Sequence, residues 1–305
     1  MTHRPVVGSA PAATMCGVEP NSAEAVAELQ RACRLVAGVP VPEPVPVVGT
    51  GSTAWVPASR AAETVDLVGE RIRAGRTGHG TVLATAMAHA QGLSYAVAGP
   101  SVAGALAAEV AVDIDPERLW LGFGRGGFCE RVAAEPWQLA SARPGEFEDR
   151  VAEQIVGVLE PAFENVHRVS RIGRRVIWSA LPDSVAAVAL TASLAGAGGG
   201  GASPAGDLCG AWRAAAALID AVAARVPAMS ARPRPVTFTF GDGETSGTWM
   251  VRGGCCFMYR LGASTGYCVT CPVLDEDGRR QRLREWAGES SLWRRGTSQR
   301  GDVRR

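Results

Sequence analysis

Four cysteines crowd into 17 residues near the C-terminal end of the chain, as Cys255-Cys256 followed by Cys268-Val-Thr-Cys271. Neighbouring side chains on a straight strand point to opposite faces, so an adjacent pair serves one centre only where the backbone bends. Gly253-Gly254 lies directly upstream and supplies freedom for that bend. Cys268-x-x-Cys271 has the spacing at which a tight turn brings two sulfurs onto one metal. Four thiolates are the complement of a [2Fe-2S] cluster and also of a structural zinc site, although zinc halves are usually Cys-x-x-Cys knuckles and an adjacent pair is atypical. A thiol-disulfide motif would use Cys268 and Cys271 alone, expects a βαβ setting and leaves Cys255-Cys256 without a role. Chance clustering is the bland reading, disfavoured because four of the eight cysteines fall in this stretch.

The rest of the chain must supply a fold around that block. At 305 residues it is long enough for one large domain or two modest ones. Hydrophobic residues at 47% and charged residues at 20% are the proportions of a globular protein. With 31 basic against 30 acidic side chains, no global field gathers nucleic acid or an anionic membrane, so a partner must be recognised locally. No transmembrane segment is expected: no apolar run approaches the roughly 18 residues of a spanning helix, and the best stretch, 185–196, is alanine-rich and reads as a buried helix. Peripheral membrane association stays open. Residues 1–20 read as a flexible leader without the apolar core of a secretory signal. The expected location is therefore the cytoplasm, where thiols stay reduced.

Spacing of apolar residues predicts helices over 21–36, 61–74, 81–93, 100–111, 146–160, 162–178, 183–194, 210–226 and 275–286. Ser22 or Asn21 is available as the first N-cap, and Pro161 is expected to stop the fifth helix. The proline-punctuated stretch 39–48 reads as an extended connector. Residues 119–123 and 128–132 flank a glycine-rich turn as a hairpin, and 235–240 with 248–252 flank Gly241-Asp-Gly243 as a second. Residues 196–206 read as a flexible loop and 294–305 as a disordered tail. The expected fold class is α+β: a helix-rich body, a small antiparallel sheet, and a C-terminal hairpin plus cysteine loop.

The block Gly254-Cys-Cys-Phe-Met-Tyr-Arg-Leu261 with Gly266-Tyr-Cys-Val-Thr-Cys-Pro272 resembles the C-terminal signature of the FhuF-type ferric-siderophore reductases. Their pattern is an adjacent cysteine pair, about ten residues, and Cys-x-x-Cys; the spacer here, 257–267, has eleven. Arg168-Val-Ser-Arg171 and Arg175-Val-Ile-Trp178 support the likeness more weakly, and Ser179-Ala180 stands where members often carry Gly-Asn. The resemblance implies a single domain over 21–293, mostly helical over 21–195, with 207–293 carrying the cluster motif at 255–271. It implies that Cys255, Cys256, Cys268 and Cys271 bind a [2Fe-2S] cluster. The function it implies is one-electron reduction of an Fe(III)-siderophore, releasing Fe(II), with electrons from a ferredoxin or an NAD(P)H-dependent reductase. Oxygen donors that hold Fe(III) hold Fe(II) far less strongly, so reduction is release. A zinc-stabilised four-cysteine protein serving siderophore assembly or transport is the alternative.

Around the cysteines, Trp249, Phe257, Tyr259 and Tyr267 are candidates to shield a cluster, and Arg252 and Arg260 are candidates for substrate or partner docking. Gly122-Phe-Gly-Arg-Gly-Gly127 matches G-x-G-x-x-G in form only, since it joins two strands instead of opening a helix. Asp113 and Asp115 suggest a metal pair less than a helix start, with Asp115 as cap and Pro116 at the first helical position. His79, His89 and His167 are separate singletons, and Cys16, Cys33, Cys129 and Cys209 read as small apolar fillers.

Overall fold

The computed structural model describes residues 22–36, 39–43, 54–64, 79–124, 128–134, 137–142, 145–196, 208–240, 245–261 and 266–289. The expected leader, most of the glycine-rich loop and the tail lie outside these residues. The fold class is α+β, with seven α-helices, one four-stranded sheet and two two-stranded sheets among the described residues. Helix α1 (Ala23–Leu35) begins at the expected cap, where Ser22 Oγ accepts the Ala25 N–H at 3.1 Å. Leu29, Ala32 and Cys33, at helical spacing, bury one face of it.

Helix α2 (His79–Ala108) runs unbroken through Pro100, where the sequence predicts two helices. An interior proline costs about 3 kcal/mol. Met87, Leu93, Val97 and Val102 are all buried along α2, and burial stabilises by roughly 1.5–3 kcal/mol per side chain of this size, which outweighs the proline. The helix stops at Ala108, and Val110–Val112 form strand β3 instead of a last helical turn. Helix α3 (Glu146–Ser170) likewise passes Pro161, because Ala162, Phe163 and Val166 continue the buried stripe of Val151, Ile155 and Leu159. It ends at Arg171, whose φ is 63°. The break expected at 161 is thus displaced by ten residues, and a short α4 (Arg174–Trp178) and α5 (Ala180–Gly196) follow.

Strands β1 (Pro42–Glu43), β2 (Ala54–Pro57), β4 (Leu119–Phe123) and β5 (Cys129–Ala134) make the larger sheet, in the order β1-β5-β4-β2. The proline connector supplies β1, which pairs parallel with β5; the other pairings are antiparallel. Strand β6 (Leu139–Ser141) pairs with β3. A 3-10 segment, Ala58–Thr64, stands at the start of the expected 61–74 helix, whose remainder lies outside the described residues. The Asp115-Pro116-Glu117 cap closes only a turn, with Glu117 N–H on Asp115 Oδ1 at 2.9 Å, before β4 begins. Asp113 is taken up by Gln154. Gly122 sits in β4 under the Trp55 ring, where a Cβ would stand 3.0 Å from it, so this glycine serves sheet packing.

Helix α5 is apolar on both sides and joins two cores. Leu181, Val185, Val188 and Ala189 face the main core. Ala186 and Leu190 face a second one, built with Phe238 and Trp249 from the hairpin of β7 (Arg234–Phe240) and β8 (Thr245–Val251), and with Leu283 and Ala287 of α7 (Glu276–Glu289). Helix α6 (Leu208–Arg225) packs beside α5 and α3. By length and mean hydropathy alone, 1.4, the stretch Arg174–Leu194 is long and apolar enough to cross a membrane; 78% of its most apolar window is buried within the fold, as in the buried helix expected over 185–196.

Candidate metal centre

The cysteine segments follow β8 and are tied to each other before any thiol is considered. Arg252 N–H donates to Thr270 C=O at 3.0 Å, which lays the second cysteine segment beside the first. Cys271 N–H closes a tight turn on Cys268 C=O at 3.1 Å. The buried Arg279 of α7 then holds the exit of that turn, donating from Nε to Cys271 C=O at 3.3 Å and from Nη2 to Leu274 C=O.

Gly253 and Gly254 are needed for close approach instead of for unusual dihedrals. A Cβ on Gly253 would lie 2.7 Å from the Arg232 backbone, and one on Gly254 would lie 1.8 Å from Ser179 Oγ. The positive φ falls one residue past the cysteine pair, on Phe257 at 58°. A non-glycine residue there costs roughly 1–2 kcal/mol, and such strained positions cluster at functional sites. Phe257 N–H in turn donates to Cys255 Sγ at 3.4 Å.

Cys256 and Cys271 are buried, at 6% and 2% exposure, while Cys255 and Cys268 are half-buried. Cys256 and Cys268 bring their sulfurs to 4.0 Å. Two thiolates on one tetrahedral metal, at about 2.3 Å each, stand about 3.8 Å apart, so this pair is spaced as co-ligands. The contact therefore crosses between the two segments, whereas spacing alone suggests Cys268 with Cys271. Cys271 lies near enough for its charge to act on both Cys255 and Cys268. Among the described residues, no three His, Cys, Asp or Glu side chains close into a metal-holding group. The arrangement is one pair in contact with two thiols beside it, and its all-sulfur donor set is that of a soft thiophilic centre.

The surroundings favour thiolate at Cys256. The contact between the Cys256 and Cys268 sulfurs pulls the Cys256 pKa down, aided by the Met258 N–H and the Arg252 charge and opposed by burial. The same contact, together with burial, pushes the Cys268 thiol up. Burial also raises Cys255, against the Phe257 N–H.

Arg252 faces inward, with its side chain 12% exposed, against Asp183 of α5 at 2%. Nε donates to Asp183 Oδ2 at 3.0 Å, and Gly253 N–H and Gly254 N–H donate to the same carboxyl at 2.6 and 3.3 Å. Burial pushes the Asp183 pKa up while Arg252 and the two N–H groups oppose it; three donors on two oxygens are the geometry of the carboxylate. Burial also works against the Arg252 charge, but Asp183, Cys256 and Cys268 outweigh it and raise its pKa. Gln91, with its amide oxygen turned to the guanidinium, accepts from Nη1 at 2.7 Å. Arg252 is therefore committed inside the protein, and Arg260 is the exposed arginine of the two.

Asp183 and Arg279 are the neighbours of the candidate site that sequence reasoning missed. A lone carboxylate in an otherwise apolar helix is the available signal for Asp183, since buried charges need partners. The mid-chain likeness acquires a location: Trp178 is buried edge-on to Phe163, centroids 4.9 Å apart, and Ser179 abuts Gly254. Of the four aromatics, Trp249 packs into the hairpin core against Trp286, Phe257 is half-buried, and Tyr259 stacks on Tyr267. Beside the site a cavity of about 270 Å³ is lined by Gln91, Tyr95, Asp183, Arg252, Trp249 and Trp286, among others.

The remaining candidates stay apart from the centre. Burial pushes the Cys33 and Cys129 thiols up to about 12, Cys209 is exposed, and Cys16 lies outside the described residues. His79 opens α2, His89 is buried with its ring 6.1 Å from that of Phe123, and His167 Nδ1 contacts Ile172 C=O at 2.5 Å. Compared with family models, curated proteins and solved structures, the chain gives no match.

Proposed function

We propose that this chain is an iron-sulfur electron-transfer protein that reduces Fe(III)-siderophores, with Cys255, Cys256, Cys268 and Cys271 holding a [2Fe-2S] cluster. The observation that carries the reading is the 4.0 Å contact between Cys256 and Cys268, which come from the two different cysteine-bearing segments. When bound, such a cluster supplies one-electron transfer at a potential set by hydrogen bonds and exposure. With a cluster held there, one electron from a reduced carrier would pass to the Fe(III) of the chelate, giving Fe(II) with no covalent bond of the chelate made or broken.

The chain's own residues would set the conditions. Arg252 places a buried positive charge beside Cys256 and Cys268, which favours thiolate ligands and eases the arrival of an electron. Asp183 fixes Arg252 and the Gly253-Gly254 backbone, so that charge cannot swing away. The cavity at Arg252 and Trp249 is where an edge of a chelate would approach; ligand sites usually measure about 300–1,000 Å³, so at about 270 Å³ it takes only part of one.

The test is anaerobic purification followed by iron, acid-labile sulfide and zinc analysis, with EPR of the reduced form. Two irons and two sulfides per chain are expected. Stoichiometric zinc without sulfide would end the cluster reading in favour of a zinc-stabilised four-cysteine protein, for which the same sulfur spacing is suitable. Reoxidation by ferric hydroxamate or catecholate chelates, followed with an Fe(II) trap, then tests the reductase step. A loaded protein that none of them reoxidises would sink it.

A further inference from the structure

The large apolar side chains exposed among the described residues are Leu35, Met258, Tyr267 and Val273. Three of them flank the cysteines: Met258 stands two residues after Cys256, Tyr267 one before Cys268, and Val273 two after Cys271. Exposed apolar side chains scattered singly need no explanation, whereas their concentration at one place marks an interaction surface. Here the rings join into one face. Tyr267 stacks on Tyr259 with centroids 5.0 Å apart, and the Arg260 guanidinium lies over both Tyr259 and Phe257, at 5.7 and 5.5 Å. The two half-buried thiols, Cys255 and Cys268, lie on the segments that bear this face, while Cys256 and Cys271 are buried.

Two arginines bear on this face. Arg260 is exposed. Arg282 of α7 lies against Gly266, its Nη2 3.4 Å from where a Cβ would stand. Of the acids on the adjoining segment, Glu276 is paired with Arg280 at 2.5 Å, Asp275 Oδ1 accepts the Gly278 N–H at 2.7 Å and keeps its charge, and Asp277 is exposed.

Resting on the function proposed above, we infer that Met258, Arg260, Tyr267, Val273 and Arg282 form the docking surface for the electron donor, and that the donor is an acidic one-electron carrier protein. A nicotinamide delivers a hydride, hence two electrons together, whereas this site accepts one at a time. A protein carrier must therefore stand between them, and an acidic one matches both arginines. Apolar contact at the centre with arginine around it is the composition of a transient protein interface.

The experiment is stopped-flow reduction of the loaded protein by a small acidic [2Fe-2S] ferredoxin, with reduced methyl viologen as a small cationic reductant. Wild type is expected to react with ferredoxin faster at low salt than at high salt. Arg260→Glu with Val273→Asp is expected to slow that reaction about tenfold or more at low salt, through the on-rate, with no slowing by methyl viologen and an unchanged visible spectrum. Arg282→Glu should act in the same direction. Both variants change exposed side chains, and iron and sulfide content checks that each remains loaded. Equal slowing by both reductants, an unchanged ferredoxin rate, or faster reaction as salt rises would overturn the docking surface alone. Absence of sulfide in the wild-type protein would overturn the surface and the functional reading together.

Discussion

In the helical body, α2 is held by Met87, Leu93, Val97 and Val102, and α3 by Val151, Ile155, Leu159 and Phe163, with no single contact decisive. In the cysteine segments the anchors are directional: three donors on Asp183, one backbone bond from Arg252 to Thr270, and Arg279 on Cys271. Apolar packing is non-directional and shared, so it tolerates a proline inside each long helix. A bond to a buried carboxylate is neither, so the loop's geometry depends on a few side chains.

That contrast is broken most sharply at Asp183. Asp183→Ala leaves the Arg252 charge buried without its partner, a loss of about 3–5 kcal/mol. Denaturant unfolding should report it, together with loss of bound metal, because Gly253 and Gly254 lose their acceptor in the same step. Retained metal at wild-type affinity would mean that the loop is held by packing, like the body. The matching change in the body, Leu159→Ala, is expected to cost about 2–5 kcal/mol by the same measurement. It should leave metal binding per folded molecule intact.

Gly254→Ala sets a Cβ against Ser179 Oγ and is expected to destabilise by about 1–3 kcal/mol. Adding Ser179→Gly opens that space, so the double variant should recover most of the loss in a double-mutant cycle. Additive losses would show that Gly254 acts through its backbone instead of its neighbour. A further effect, of comparable size and set by pH, belongs to the body's buried thiols. Cys33 and Cys129 rise in the folded state from 9.0 to about 12. Their stabilisation is therefore complete below pH 9 and is lost between pH 9 and 12, as the unfolded chain ionises first. Urea midpoints measured from pH 8 to 10.5 should fall with pH, and Cys129→Ala should flatten the fall.

Much of the architecture was legible where local chemistry decides it. The Ser22 cap, α1, α6, α7 and both hairpins follow from periodicity and turn residues within a dozen positions. The failures share one cause. Pro100 and Pro161 are local helix breakers, and residues distant in sequence supply the burial that overrides them. Glu109, with φ 54°, ends α2 where the helix pattern continues, because residues 110–112 find a strand partner in 139–141.

At the candidate site the four cysteines, their softness and their spacing are properties of the sequence alone, and so is the choice among iron-sulfur, zinc and disulfide chemistry that they pose. Which thiols touch was decided by tertiary structure: Cys256 meets Cys268 because Arg252 binds Thr270, a register no spacing encodes. The division of the arginines was decided there too. Arg252 and Arg260 are eight residues apart in one segment and look alike in sequence. One turns inward because Asp183, 69 residues earlier, offers a buried carboxylate, and the other remains on the surface over Phe257 and Tyr259. A buried charge is tolerable only where a partner waits, and that partner comes from another helix.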